Sequence, residues 1–494
     1  MKKLLLPLIV FVTGAVTMIF ELAGSRILGP YLGTSLVVWT ALIGIIMACL
    51  SLGYSLGGVV ADRRPDTRLL SWILLLSGAS VVFTHLAHDY LLRILIRYVA
   101  DFRLRSVLAS LALFGPAGCF MGMVLPFTVR LKLLGVGSSG TTVGSLYALS
   151  TAGSITGTAA AGFYLLPRLG SSSNLLLCAG FLSLLSLAVF LKEKRLFGSL
   201  AAAVFILLVL LVSYRFAARE KKYVDVDTRY NRVIILDDTD ESTGRPIRML
   251  YINDERSSAV FLDGDGLVFE VLKYYNLADH FNPGFGRCLM IGGSGYAYPS
   301  HFLKKFPGAS LDVVEIDPVL TDLARQYFGL VDDPRLTIYH EDGRTFINRT
   351  PAGYDAVFMD AYKSVITIPY QLTTREALQK ISDMLNEGGV FLANIITTLD
   401  PSSNHLLRAE YATCKSVFPQ VFLFAVGDPG DPHLLQNIML VAVKSTRPAS
   451  LECDDPEVEA MLRKKVSLSI GDDLPVLTDE YAPVDYYMLK VFDF

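Results

Sequence analysis

The sequence predicts two folds in one chain: a multi-span α-helical membrane domain, then a Rossmann-like α/β domain that opens with a small antiparallel β-sheet. Three observations predict this. Apolar residues make up 52% of 494 residues, and the mean hydropathy of +0.45 is high for a soluble protein. Long apolar runs dominate positions 1–215, whereas 216–494 have ordinary globular composition. From residue 287 onward, strand-like and helix-like segments alternate, the pattern of a parallel doubly wound sheet. The expected domains are 1–215 for the membrane part, 216–285 for the small sheet and a connecting helix, and 286–494 for the α/β part. A chain of this length calls for two or three domains.

A spanning helix needs about 20 mostly apolar residues. Seven segments qualify, at roughly 4–25, 35–60, 69–88, 106–128, 141–166, 172–191 and 197–214. The first follows Met-Lys-Lys, but it is too long for a signal peptide and has no clean small-residue cleavage site. It therefore reads as a retained span. Lys and Arg in short loops normally set orientation, and here they tie, ten on one side and ten on the other. The segment 88–105 has the pattern of an interfacial amphipathic helix. Glu21 and Arg26 stand near the end of the first span, where an ionisable group is costly and is a functional candidate by default. They also suit an interfacial ion pair, or an arginine reaching back to the surface. Small residues from Gly144 to Ala161 predict close helix packing. Gly57–Arg64 resembles the loop after the second helix of major-facilitator transporters, but the chain lacks the two related halves a transporter usually has.

The net charge of −3 gives no basic footprint, so no nucleic-acid partner is expected. The six cysteines form no CxxC pair, which predicts neither a zinc site nor a disulfide framework and suits a reducing compartment. No metal is expected.

In the soluble half, alternation over 223–262 predicts strands at Asn231–Leu236, Arg248–Ile252 and Ala259–Leu262, with a helix at Gly266–Leu277. The parallel sheet then takes strands at Arg287–Ile291, Ser310–Ile316, Leu336–His340, Asp355–Asp360 and Gly389–Ile395. Helices are expected at Tyr298–Phe306, Pro318–Phe328, Gly343–Asn348 and Thr374–Leu385. In such sheets the ligand sits beyond the carboxyl ends of the strands. After the first strand comes Gly292-Gly293-Ser294-Gly295, which allows close backbone approach. After the second comes Glu315-Ile316-Asp317, where an acid about 20 residues past the glycines takes ribose hydroxyls. Asp317 before Pro318 equally suits a helix cap. After the third comes Glu341-Asp342-Gly343, placed to accept from an adenine amino group or to cap a helix. After the fourth comes Asp360-Ala361-Tyr362-Lys363. Together, in this order, the four strand ends describe an adenosine site.

These residues resemble the spermidine synthase family (polyamine aminopropyltransferases) within the class I AdoMet-dependent fold. The resemblance covers roughly 225–445 and rests on the small sheet, the GG-x-G turn, Glu315-Ile316-Asp317-Pro318, Asp333-Pro334-Arg335, Glu341-Asp342-Gly343 and Tyr354-Asp355 with Asp360. The order of the chain resembles membrane-fused members, which often end in a segment like Leu477–Asp485. The resemblance implies AdoMet or decarboxylated AdoMet as substrate, with no further cofactor. Glu315 would hold the ribose, Asp342 the adenine amino group and the 292–295 turn the region around the sulfonium, with Ile316, Gly343 and Tyr362 also among the residues that bind the cofactor. Asp360 takes the place of the catalytic aspartate. A homo-oligomer is compatible with the family.

Departures from the family pattern shape the functional expectation. The glycine turn lacks the family's aspartate, with Tyr296 nearby. Lys363 stands where the family has its second active-site acid, three residues after the first. Phe269, before Glu270, and Ser257 replace a histidine and a glutamine. A diamine presents ammonium groups that need carboxylates, and Lys363 would repel it while attracting the carboxylate of intact AdoMet. The expected reaction is therefore an AdoMet lyase reaction. The AdoMet carboxylate closes a lactone on its own γ-carbon and expels 5′-methylthioadenosine. The nucleophile is already ionised, so proximity suffices. Asp360 would hold the ammonium, Lys363 the carboxylate, and Tyr296, Tyr298, Tyr362 and Tyr370 would shape the pocket. The alternative is a polyamine aminopropyltransferase using decarboxylated AdoMet and putrescine. Behind these stand a methyltransferase and an AdoMet sensor. The expected location is a bacterial inner membrane, crossed several times. The soluble domain is expected in the cytosol, where AdoMet is made.

Overall fold

The computed structural model describes residues 2–133, 139–217, 223–351, 353–361, 368–466 and 474–492. The chain divides into two compact units, Met1–Lys222 with Asp227–Asn231, and Tyr223–Val226 with Arg232–Phe494.

The first unit is helical: α1 (Lys2–Leu32), α2 (Leu36–Arg63), α3 (Thr67–Tyr98), α4 (Phe102–Lys132), α5 (Ser139–Ala160), α6 (Leu166–Lys192) and α7 (Leu196–Ala217). Six helical runs among the described residues are long and apolar enough to cross a membrane, not the seven expected. The expected spans 141–166 and 172–191 fall in one run of 54 residues, Ser139–Lys192. That run carries a π-turn at Ala161–Leu165 and a break at Gly170, with φ +69°. The interfacial helix expected at 88–105 is absent. Its residues end α3 and start α4, with Asp101 capping α4 by accepting from the Leu104 amide.

Glycines set the helix packing. A Cβ on Gly153 or Gly157 of α5 would strike the carbonyls of Phe11 or Ala15 of α1, and one on Gly122 of α4 would sit 2.5 Å from the Leu50 carbonyl of α2. Close backbone approach of this kind is how apolar helices pack without a hydrophobic drive. Arg26 donates from Nη1 to the Thr228 carbonyl at 3.0 Å and also bonds the Arg229 carbonyl.

The second unit opens with a four-stranded antiparallel sheet in sequential order: β1 (Val224–Asp227), β2 (Arg232–Thr239), β3 (Pro246–Ile252) and β4 (Glu255–Phe261). This sheet heads the second unit and not the polypeptide. The helix expected at Gly266–Leu277 is instead three short turns from Glu270 to Phe281. Gly264 and Gly266 hold φ of +156° and +126°, which keeps the preceding chain out of a helix.

The main sheet contains β5 (Arg287–Ile291), β6 (Ser310–Val314), β7 (Leu336–Tyr339), β8 (Tyr354–Met359), β9 (Leu385–Thr397), β10 (Gln420–Ala425) and β11 (Gln436–Val443). Its order is β10-β11-β9-β8-β5-β6-β7. β5 to β9 pair in parallel, whereas β11 pairs antiparallel with β9 and β10. The sheet is therefore mixed, not wholly parallel. Its strands are buried on both faces: Cys288 and Met290 enter one core, while Leu289 and Ile291 enter the other. Helices cover both faces. Pro318–Tyr327 starts as expected, with Asp317 accepting from the Val319 amide and Pro318 in the first turn.

Candidate active site

The first parallel strand ends at Ile291, and the chain turns at Gly292 with φ +97°. A side chain there would run into the Asp360 carbonyl, so only glycine fits. The Asp360 amide donates to the Ile291 carbonyl at 3.0 Å. Gly292 and Asp360 thus meet where β6 leaves β5 on one side and β8 on the other. That topological switch point is where open α/β sheets bind ligands.

Glu315 braces this turn. Its Oε2 accepts from the Gly293 and Ser294 amides at 2.9 and 3.0 Å, and Oε1 accepts from the Asp317 amide at 3.0 Å. Glu315 is 6% exposed. Burial pushes its carboxyl above the usual range, and the amide bonds oppose that rise. Three of about four acceptor positions on the carboxylate are taken, leaving one for a ligand hydroxyl. Beside it, Ile316 keeps 37% of its surface exposed, an apolar face at the ligand edge of the sheet.

Asp342 caps the helix Gly343–Arg349, its Oδ1 accepting from the Thr345 amide at 2.9 Å. A Cβ on Gly343 would lie 2.8 Å from Ile291 Cγ2, so this helix start packs close against the end of β5. The expected helix cap is therefore real, and Oδ2 is the oxygen left for an amino group.

Asp360 is half-buried at the end of β8. Its carboxyl is pushed up to about 6 by burial, while hydrogen bonds from Asn394 and Tyr275 pull the other way. Asn394 Nδ2 donates to Asp360 Oδ1 at 3.1 Å, and Asn437 Nδ2 donates to Asn394 Oδ1 at 2.9 Å. A line of amides from β11 through β9 thus fixes the orientation of the acid. The sequence reading missed Asn394, Asn437 and Tyr275. The available signal was an asparagine inside the apolar run Val390–Ile395, since a buried amide needs partners.

The tyrosines divide differently from expectation. Tyr296 is fully buried, and its hydroxyl lies 2.7 Å from Thr321 Oγ1, which in turn is 3.0 Å from His340 Nε2. Its ring fills the space under Gly293, so the geometry makes it a support of the turn and gives it no reacting position. Burial pushes its hydroxyl far above the ordinary range. Tyr298 is 2% exposed and packs on Tyr275 and Phe358, inside the core. Tyr370 is half-exposed on a short 3₁₀ turn. Ser257 reaches the turn, 2.7 Å from Ser294 Oγ, while Glu270 pairs with Lys273 at 2.7 Å. Tyr362 and Lys363 lie outside the described residues. Among the described residues, no group of three or more His, Cys, Asp or Glu side chains is placed to hold a metal.

Residues 227–452 match the spermine/spermidine synthase domain family. A polyamine aminopropyltransferase of Vibrio vulnificus is 34% identical over 30% of this chain and 48% of its own length. A polyamine aminopropyltransferase 2 of Aquifex aeolicus is 23% identical over 78% of each chain. A match of that length exceeds the second unit and reaches into the helical one. A probable spermidine synthase from Corynebacterium glutamicum aligns at 25% identity over 50% of this chain and 87% of its own, with a TM-score of 0.42. The chain spans about half the length of the first of these relatives. The lyase reaction gains no support from these relatives.

Proposed function

Because residues 227–452 are a spermine/spermidine synthase domain of the class I AdoMet-dependent fold, we propose that the chain is a membrane-anchored polyamine aminopropyltransferase. It transfers the aminopropyl group of decarboxylated AdoMet to an aliphatic amine and releases 5′-methylthioadenosine. Asp360 carries this reading. A lactone closure needs no base, since its nucleophile is already a carboxylate. An ammonium acceptor must lose a proton, and a half-buried carboxyl near pH 6, held in place by Asn394, suits that task. The amine nitrogen attacks the methylene carbon next to the sulfonium. The carbon–sulfur bond breaks, its electron pair stays on sulfur, and the ammonium proton passes to Asp360. Glu315 holds the ribose through its remaining acceptor position, Asp342 receives the adenine amino group, and Ile316 packs on the base. The 292–295 turn approaches the sulfonium. Lys363 supplies no acid for a second ammonium, which favours an acceptor with amine recognition unlike the family's.

The test is product analysis by mass spectrometry on the purified full-length protein. One sample receives decarboxylated AdoMet with putrescine, another AdoMet alone. Spermidine and methylthioadenosine in the first sample are expected. Methylthioadenosine with homoserine lactone in the second, and no spermidine in the first, would restore the lyase reading.

A further inference from the structure

The helical unit holds a cavity of about 190 Å³ between α1, α2, α4 and α5. It is larger than the roughly 150 Å³ of an engineered cavity that takes benzene, so a ligand of several heavy atoms fits. Val10, Thr13, Gly14, Thr17, Met18 and Glu21 of α1 line it. That spacing is one stripe of a helix, and from Val10 to Glu21 it extends about 16 Å along the axis. Its wall therefore runs along one face of α1, and Glu21 is the last residue of that stripe.

Two of its polar groups lack partners. Glu21 makes no hydrogen bond or ion pair among the described residues. Thr13 is 5% exposed, and its hydroxyl is buried without a hydrogen-bond partner. An unpaired acid in an apolar helical bundle is expensive, and such residues mark ligand or ion paths. Thr17 lines the wall between them, its hydroxyl donating to the Thr13 carbonyl at 2.8 Å. Ser150 and Ser154 of α5 face the same space. The remaining wall is soft: Met18, Met47 and Met121, with Tyr54, against the side chains of Leu50 and Val124.

This lining selects a ligand. An anion is repelled by Glu21, and a purely apolar molecule leaves both Glu21 and Thr13 unsatisfied. Hard metal cations want a shell of oxygens, whereas thioethers are poor ligands for them. A chain of methylenes ending in an ammonium satisfies every wall. The charge meets Glu21, the N–H groups meet hydroxyls, and the methylenes lie on methionine and leucine, where adaptable thioethers repack around them. We propose that this cavity is a binding site for a linear aliphatic ammonium cation, separate from the site at the end of the β-sheet. The ligand class follows from the lining itself and stands whether or not the transferase reading holds.

The test is equilibrium binding of radiolabelled 1,4-diaminobutane to the full-length protein in nanodiscs. The Asp360→Asn background weakens any amine site in the second unit. Saturable binding is expected to survive there. Adding Glu21→Gln is expected to weaken it about tenfold or more, the scale of a lost charged hydrogen bond. Thr13→Val, which keeps the shape, is expected to weaken it about fivefold, the scale of a neutral one. Monodisperse elution with an unchanged helical circular-dichroism signal verifies that each variant is folded, and Thr13→Val decides if Glu21→Gln is not. Binding that is absent in the Asp360→Asn protein, or unchanged by the cavity substitutions, overturns the proposal. So does stabilisation by sodium or by acid alone with no diamine uptake, which would make Glu21 an inorganic cation or proton site. Failure of the transferase reading shows separately, as absence of spermidine from the wild-type turnover assay.

Discussion

Half-buried Asp360 and buried Glu315 are both acids raised by desolvation, and their partners assign them opposite tasks. Glu315 accepts three backbone amides, so it stays in place and shapes the turn. Asp360 accepts side-chain bonds and sits at about 6, so it can exchange a proton near neutrality. As a base it must be ionised, so kcat/KM is expected to fall as pH drops through about 6 and to level above it. Asp360→Asn should lower kcat by about 10²–10⁴, the usual contribution of a positioned base, without changing the far-ultraviolet spectrum. An unaltered pH profile in an active Asp360→Asn enzyme would remove Asp360 from the chemistry. Asn394→Ala removes a bond that favours the ionised acid, so the midpoint of the profile should move upward; a midpoint that stays put would mean Asn394 does not tune it. Glu315→Gln turns an acceptor into a group with an N–H end facing the turn's amides. Methylthioadenosine affinity should fall about tenfold or more, and calorimetry reads this directly. Gly292, Glu315 and Asp360 were legible because each follows an apolar strand. Asn394 was not, because its partner Asn437 lies on a strand 43 positions away, and only register brings the two together.

At the scale of elements, period and caps carried the reading furthest. Pro318–Tyr327 and Gly343–Arg349 begin where Asp317 and Asp342 announce them. Burial on both sides marks β5, β6 and β8 as runs of apolar residues, but such runs do not reveal direction. β10 and β11 are equally apolar, and the connection between Ala425 and Gln436 carries no helix. It is too short for a parallel crossover, and the strands return antiparallel. The helix His405–Lys415, which packs against this region, buries Glu410 at 9% exposure with no hydrogen bond or ion pair among the described residues. Burial pushes Glu410 up to about 8, from 4.5. The folded state therefore holds a proton that the unfolded chain releases near pH 4 to 5. Its contribution is complete below the unfolded value and is lost as pH rises through about 8. Chemical denaturation of the full chain should show stability falling between about pH 4.5 and about 8 and levelling above that, and Glu410→Gln should flatten that fall. An identical slope in the variant would place the titrating group elsewhere.

For the whole molecule, the deciding length is that of the run Ser139–Lys192. Its 54 residues would extend about 80 Å as one helix, far beyond a hydrocarbon core of about 30 Å. The break at Gly170 divides it into two rods, and each of them suffices to cross a bilayer. Composition alone showed two spans there; it did not show that they join through continuous helix, because Gly170 interrupts the dihedrals without interrupting the apolar pattern. If both rods cross, the helical unit crosses an odd number of times. Decarboxylated AdoMet is a cytosolic product of AdoMet, so the second unit is expected on the cytosolic face and the N-terminus on the opposite one, despite Lys2 and Lys3. Basic loop residues do not decide the matter, since they tie at ten and ten. Protease treatment of sealed inverted vesicles should digest a C-terminal tag and spare an N-terminal one. Digestion of both tags would mean that the run from Ser139 crosses once, with one of its rods lying along the surface. Protection of the C-terminal tag would separate the second unit from its proposed substrate and remove the transferase reading with it.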